Sequence, residues 1–178
     1  SAIHFSAASS LYVQTRIVGG VGEDFTMEDL SFLSERNADT SGIVSENGKT
    51  FRWSGRYHEN MNNRDSLSTE LNVFEHFQPN IPEYFKDSKY IFLANIHPKL
   101  QLEVLEHVTN PAFVALDTMN FWIDGNRPEL EKVLSKVDAV ILNDSEALQF
   151  SGELNYPKAA RTISQFGPKI VIIKKGEH

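Results

Sequence analysis

The chain has 178 residues, 40% hydrophobic and 23% charged, which suits one α/β domain of about 100–200 residues and neither a disordered nor a fibrous protein. Seventeen Lys and Arg against 24 Asp and Glu give a net charge of −7, which argues against a nucleic-acid partner held by phosphate neutralisation. No apolar run approaches the roughly 18 residues that cross a bilayer, Ser1-Ala2-Ile3-His4 lacks the character of a signal peptide, and there is no Cys for disulfides or thiolate metal sites, so no membrane partner and a cytoplasmic location are expected.

In chain order, Ser1 to Leu11 is rich in Ala and predicts a helix, Arg16 to Gly20 a strand, and Met27 to Asn37 a second helix. Gly19-Gly20-Val21-Gly22 follows the strand but does not match G-x-G-x-x-G, so the dinucleotide fingerprint is missing. Gly48-Lys49-Thr50 imitates the end of a P-loop, yet the upstream Gly of that motif is Ile43 here and a strand pattern follows, so the segment reads as a turn. From Thr50 to His58 the residues alternate. Phe51, Trp53, Gly55 and Tyr57 share one face, and Arg52, Ser54, Arg56 and His58 share the other. This predicts a small antiparallel sheet standing off a main one, with Thr69 to Phe74 as its second strand.

From Tyr90 onward, short apolar runs take turns with helical stripes. Tyr90 to Ala94, Phe113 to Leu116, Ala139 to Leu142 and Ile170 to Ile173 predict strands buried on both faces, as in a parallel sheet. Leu100, Leu102, Val104, Leu105 and Val108 mark one helix, and Leu130, Val133, Leu134 and Val137 another. Ser145 to Phe150 and Pro157 to Phe166 supply further helix. The alternation argues for right-handed βαβ units and a doubly wound, Rossmann-like half.

In such sheets ligands bind beyond the carboxyl ends of the strands, at a topological switch point. The residues there are Asn95 with His97, Asp117 with Asn120, Asn143 with Asp144 and Glu146, and Lys174-Lys175-Gly176-Glu177. Taken singly, Asn, Asp and Gly also end strands and cap helices. Taken together, they predict a shared cleft. Other chemistries lack support: His58-Glu59 has no second His at zinc-protease spacing, the six His are scattered, and no G-x-S-x-G elbow is present.

The residues resemble the ribokinase-like (PfkB-type) sugar and nucleoside kinases. Val21-Gly22-Glu23-Asp24-Phe25 looks like the family's V-G-D-D-x loop, and Ala38-Asp39-Thr40-Ser41-Gly42-Ile43 its V-D-T-S-G-I signature. Asn143-Asp144-Ser145-Glu146 is similar to N-x-x-E, and Lys174-Lys175-Gly176-Glu177-His178 to the start of the T-x-G-x-x-G nucleotide loop. The resemblance implies an α/β, Rossmann-like ribokinase fold with a small β-sheet lid. Residues 1–178 then form a partial single domain, with lid strands around 43–58 and 68–74 inserted in the core.

It also implies transfer of the ATP γ-phosphoryl group to a hydroxyl of a sugar or nucleoside, with Mg²⁺. Glu146 would organise Mg²⁺ and phosphate through water, with Asn143 beside it, consistent with an ion that keeps several waters. Lys174, Gly176 and Glu177 fall on the nucleotide loop, where Lys174 replaces the usual hydroxyl residue. Asn95, Asp117 and Asn120 fall near the acceptor, although Thr118-Met119 and Phe121-Trp122 depart from the family's D-P-N-x-R segment. Ser1 and His4 lie on the helix after the acceptor-binding Gly-Gly pair, which belongs just before Ser1. Arg52 and Arg56 of the lid are expected to touch the acceptor or a partner subunit. The aromatic lid face could stack on a nucleobase or pack against a second lid in a homodimer.

The family's catalytic base sits in a G-A-G-D segment that belongs C-terminal to His178, so no catalytic residue is assigned. The chain reads as a portion truncated at both ends and inert by itself. Two other classes compete: a non-catalytic nucleotide- or sugar-binding module of the same fold, and a nucleotide-binding oxidoreductase fragment, against which the missing fingerprint counts. A downstream G-x-G-D sequence separates the kinase from the binding module.

Overall fold

The computed structural model describes residues 2–59 and 64–176, which divide into two compact units, residues 2–82 and residues 83–176. Among the described residues no helix is long and apolar enough to cross a membrane.

The first unit opens with α1 (Ala2–Ser9), followed by β1 (Thr15–Gly22). The helix expected over Met27 to Asn37 is a 3₁₀ turn (Met27–Leu30) and a single turn, α2 (Ser31–Ser34). It stops early because Asn37 already accepts a hydrogen bond from the Thr15 amide at 2.8 Å, which commits the chain to the ladder with β1. That ladder is parallel, with β2 (Ala38–Glu46). Its register shifts between Arg16 and Val18, opposite Asp39 to Gly42, and Asp39 accepts the Ser41 amide at 2.9 Å. Ile17, Leu30 and Leu33 form a small core, against which Ile3, Ala7, Phe25, Phe32, Ala38 and Ile43 pack.

A separate antiparallel hairpin pairs β3 (Arg52–Tyr57) with β4 (Arg64–Glu70). This bears out the small sheet but corrects its bounds. Ile43 to Glu46 pairs with β1, and residues 72–74 form a 3₁₀ turn (Asn72–Glu75) instead of strand. Strand geometry ends there because Leu71 turns to helical geometry (φ −67°, ψ −38°) and Asn72 takes φ 49°. Its side chain donates to Thr50 O at 2.9 Å, and the Val73 amide donates to Lys49 O at 3.1 Å. Trp53 lies over Gly55, where a Cβ would meet the indole at 2.2 Å, so the expected sharing of a face by these two residues holds. Tyr57 and Leu67 are exposed. Phe51 stacks on Phe74 at 5.3 Å, and Phe77 lies tilted beside Phe74 at 5.9 Å.

The second unit is a four-stranded parallel sheet: β5 (Tyr90–Leu93), β6 (Phe113–Asp117), β7 (Ala139–Asn143) and β8 (Ile170–Lys174), in that spatial order. Between the strands run α3 (Pro98–His107), α4 (Asn120–Gly125), α5 (Arg127–Leu134), α6 (Asp144–Ser151) and α7 (Tyr156–Ser164). Because successive crossovers share one hand and the strand order never reverses, the helices must fall on one face. The core agrees: Leu93, Val114, Leu116, Val140 and Leu142 turn toward Ile123, Leu130, Val133, Leu134, Phe150 and Ile163. Burial on both faces therefore fails at β8, where Ile170 and Ile172 are each 46% exposed on the face away from the helices. The sheet also contains no switch point among the described residues, since each strand lies beside its predecessor.

Candidate functional site

Parallel pairing brings the carboxyl ends of β5 to β8 to one edge. In register, Asp117 lies level with Ile141, Ile141 with Ile172, and Asn143 with Lys174. Paired residues of a parallel ladder and residues two apart on one strand share a face. Asp117, Asn143 and Lys174 thus stand on the same face, opposite the helical core. Lys174 Nζ lies 3.9 Å from Asp117 Oδ1.

Asn143 ends β7 in extended geometry and caps α6 through a reciprocal capping box. Its Oδ1 accepts the Glu146 amide at 2.8 Å and the Ser145 hydroxyl at 2.8 Å, while its own amide donates to Glu146 Oε2 at 2.8 Å. Glu146 is only 3% exposed. A carboxylate here is stabilised by the capping bond and by the helix dipole. The amide of Ser145 is bound by Asp144 Oδ1, so the first turn of α6 satisfies much of its own donor set.

Asn95 follows β5, and its Oδ1 accepts the Trp122 indole N–H at 2.9 Å. Trp122 is buried, with its ring 5.0 Å from that of His97. The Asn120 side-chain amide donates to Gln149, which in turn donates to Asp124. Gln101, 1% exposed on α3, donates to the carbonyls of Ala94 (2.9 Å) and Asp117 (3.1 Å), fastening the ends of β5 and β6 together. Gly176 takes φ 65°, a left-handed turn just past β8. Lys175 Nζ lies 5.4 Å over the Tyr156 ring.

Of the predicted site residues, Asn95, Asp117, Asn120, Asn143, Glu146, Lys174 and Gly176 therefore belong to this edge or its helices. His4 is exposed on α1 of the other unit, Arg52 and Arg56 are exposed on β3, and Ser1 and Glu177 lie outside the described residues. Sequence reasoning missed Gln101, Trp122 and Gln149. The signal for Gln101 is an amide set between Leu100 and Leu102 in an apolar stripe, and for Trp122 an indole that needs an acceptor once buried.

The first unit holds a second polar node. Asp24 Oδ1 accepts from the Thr50 amide and hydroxyl, and Asp24 Oδ2 pairs with Arg52 at 3.2 Å. Thr50 Oγ1 also accepts the Gly22 amide at 2.9 Å. The Thr50 amide first, then its hydroxyl and Arg52, hold the Asp24 carboxyl below its usual range. A cleft lined by Gln14, Arg36, Asn37, Asp39 and Ser41 lies at the amino ends of β1 and β2, the edge where α/β sheets do not normally take ligands. No group of three or more His, Asp or Glu among the described residues is placed to hold a metal ion by itself.

Comparison with known proteins agrees with this architecture. The chain is 31% identical over 165 residues to a cytidine kinase of Thermococcus kodakarensis, covering 90% of this chain and 58% of the relative. A candidate ribokinase II of E. coli in its apo form matches 99% of this chain and 62% of its own at TM-score 0.77 and 20% identity, and its complex with ATP and Mg²⁺ matches 97% and 60% at TM-score 0.69 and 18% identity. A nucleoside kinase of Methanocaldococcus jannaschii matches 98% of this chain and 57% of its own at TM-score 0.70 and 17% identity. The chain thus spans less than two thirds of these relatives. The family described as pfkB family carbohydrate kinase matches residues 4–178, and the chain belongs to that family.

Proposed function

We propose that the full-length protein is a kinase that transfers the γ-phosphoryl group of Mg-ATP to a hydroxyl of a nucleoside-like acceptor. The observation that carries this reading is the 31% identity to a cytidine kinase along 90% of the chain. The sheet edge supports it. Phosphoryl transfer asks a protein for positioning and charge neutralisation more than for covalent chemistry, and a row of fixed amides and carboxylates with one lysine suits that demand.

On this reading Lys174 and Gly176 meet the nucleotide phosphates, while Asn95 and Asn120 face the acceptor. The donor set fits a Mg²⁺ that is held largely by water. Glu146 is buried, and its Oε2 already serves the Asn143 amide, so it and Asn143 would hold the ion through water. Bound Mg²⁺ supplies charge neutralisation on the phosphates. The exposed Tyr57 and Leu67 of the hairpin extend the proposal to pairing with a second copy.

The test is a coupled assay of the full-length protein with Mg-ATP against cytidine, uridine, adenosine, inosine, ribose and fructose. Turnover is expected with a nucleoside above that with the free sugars. Preferred turnover of a free sugar would move the acceptor class. ATP binding without transfer to any compound would favour the non-catalytic binding module.

A further inference from the structure

We infer that Asp117 is a positioning residue that acts through Lys174, holding its ammonium over the carboxyl end of β7 where a polyphosphate would meet it. The inference rests on the donor side of the function proposed above. Asp117 and Lys174 lie on strands separated by β7, about 10 Å apart across the sheet. Both side chains stand on the face away from the helices, and Lys174 bends back across β7 to bring Nζ within 3.9 Å of Asp117 Oδ1.

The two partners are unequal. Asp117 is 8% exposed, and Gln101 fastens its carbonyl, so the carboxylate is the fixed partner. The Lys174 side chain is about half exposed (54%) on a flexible stem and is the partner that is directed. At 3.9 Å the pair is Coulombic and too long for a hydrogen bond, so it leaves the three N–H donors of the ammonium for another acceptor. The cation and helix amides nearest to it are committed elsewhere. Amides in the first turn of α6 are bound by Asn143 and Asp144, and the Lys175 ammonium lies over Tyr156. A ligand with several negative charges outbids one carboxylate for the ammonium, and the Asp117 charge keeps that ammonium at the strand ends in the meantime.

This assigns Asp117 to the donor, whereas the family resemblance assigned it to the acceptor, and a double-mutant cycle separates the two. The full-length wild type, D117N, K174M and the double variant are titrated with ATP, with inorganic tripolyphosphate and with cytidine. Each single variant should bind ATP and tripolyphosphate about fivefold more weakly. The double variant should be no weaker than K174M, and cytidine binding should be the same in all four. D117E, which keeps the charge, should bind close to wild type, which separates loss of the pair from loss of fold. Wild-type affinity in D117N, losses that multiply in the double variant, weakened cytidine binding in D117N, or a wild type that binds neither phosphate compound would each overturn the inference. Phosphate binding that depends on both residues, without phosphoryl transfer to any acceptor, would sink the kinase reading and leave this one standing.

Discussion

Asp24 and Thr50, 26 positions apart in the chain, are joined twice: Asp24 Oδ1 accepts from the Thr50 amide at 2.7 Å and from its hydroxyl at 2.8 Å. With Gly22 bound to Thr50 and Arg52 bound to Asp24, the loop after β1 grips the start of the β3–β4 hairpin.

The charge on Asp24 makes this grip depend on pH. Its folded pKa is depressed, chiefly by the Thr50 amide. Such a group adds stability above its unfolded value of about 3.9 and loses it as pH falls through the lower folded value. Asp24→Asn should therefore melt below wild type at pH 7, and the two melting curves should converge as pH drops below about 4. A difference that stays constant from pH 7 to pH 3 would attribute the effect to geometry alone.

Two glycines of one strand should differ in their response to the same methyl group. A Cβ on Gly22 would lie 2.4 Å from Gly48 O, Lys49 C and Thr50 N, all backbone atoms that cannot rotate away. Gly22→Ala should cost about 1–3 kcal/mol in urea unfolding. A Cβ on Gly19 would have nothing within 4 Å, so Gly19→Ala should stay within about 0.5 kcal/mol of wild type. Equal midpoints for the two variants would contradict this packing.

Gln101→Leu keeps the volume and apolar fit of α3 but strips the donor from the carbonyls of Ala94 and Asp117. Leaving buried carbonyls unpaired should cost about 1–3 kcal/mol. Hydrogen exchange should speed up at the ends of β5 and β6 more than at β7. Uniform exchange along all four strands would argue that Gln101 is not a local fastener.

Glu146 carries both a cap and a proposed function, and two substitutions pull them apart. Glu146→Gln retains a capping-box side chain, so its melting temperature should stay close to wild type while phosphoryl transfer falls at least about tenfold. Glu146→Ala should lose about 0.5–2 kcal/mol of stability as well. Full transfer activity in the Gln variant would leave Glu146 a cap and nothing more.

The four strands of the second unit were legible to within a residue because β-branched and aromatic runs between turn residues leave few alternatives. Helices α3, α5, α6 and α7 followed from apolar spacing. The first unit was legible in part: α1, β1 and β3 fall where the sequence pattern put them, but two other segments do not. Met27 to Asn37 has helical spacing but is overruled by the ladder that begins at Asn37, and the second hairpin strand runs over Arg64–Glu70, ending before Asn72 turns to a positive φ. At the candidate site the strand-end residues could be read from the turn chemistry. Their partners could not: Asn95 meets Trp122 and Asn120 meets Gln149, 27 and 29 positions away, and such pairings exist only once the sheet and helices are packed.

The unbroken strand order of the second unit also bears on how it is made. Each strand after Tyr90–Leu93 pairs with the one synthesised just before it, so the sheet can be laid down strand by strand during translation. Until Ile170–Lys174 docks, the backbone of Ala139–Asn143 is an open edge able to template pairing with another chain. The time the ribosome takes to pass from Asp144 to Lys174 sets how long a nascent chain is exposed to that error.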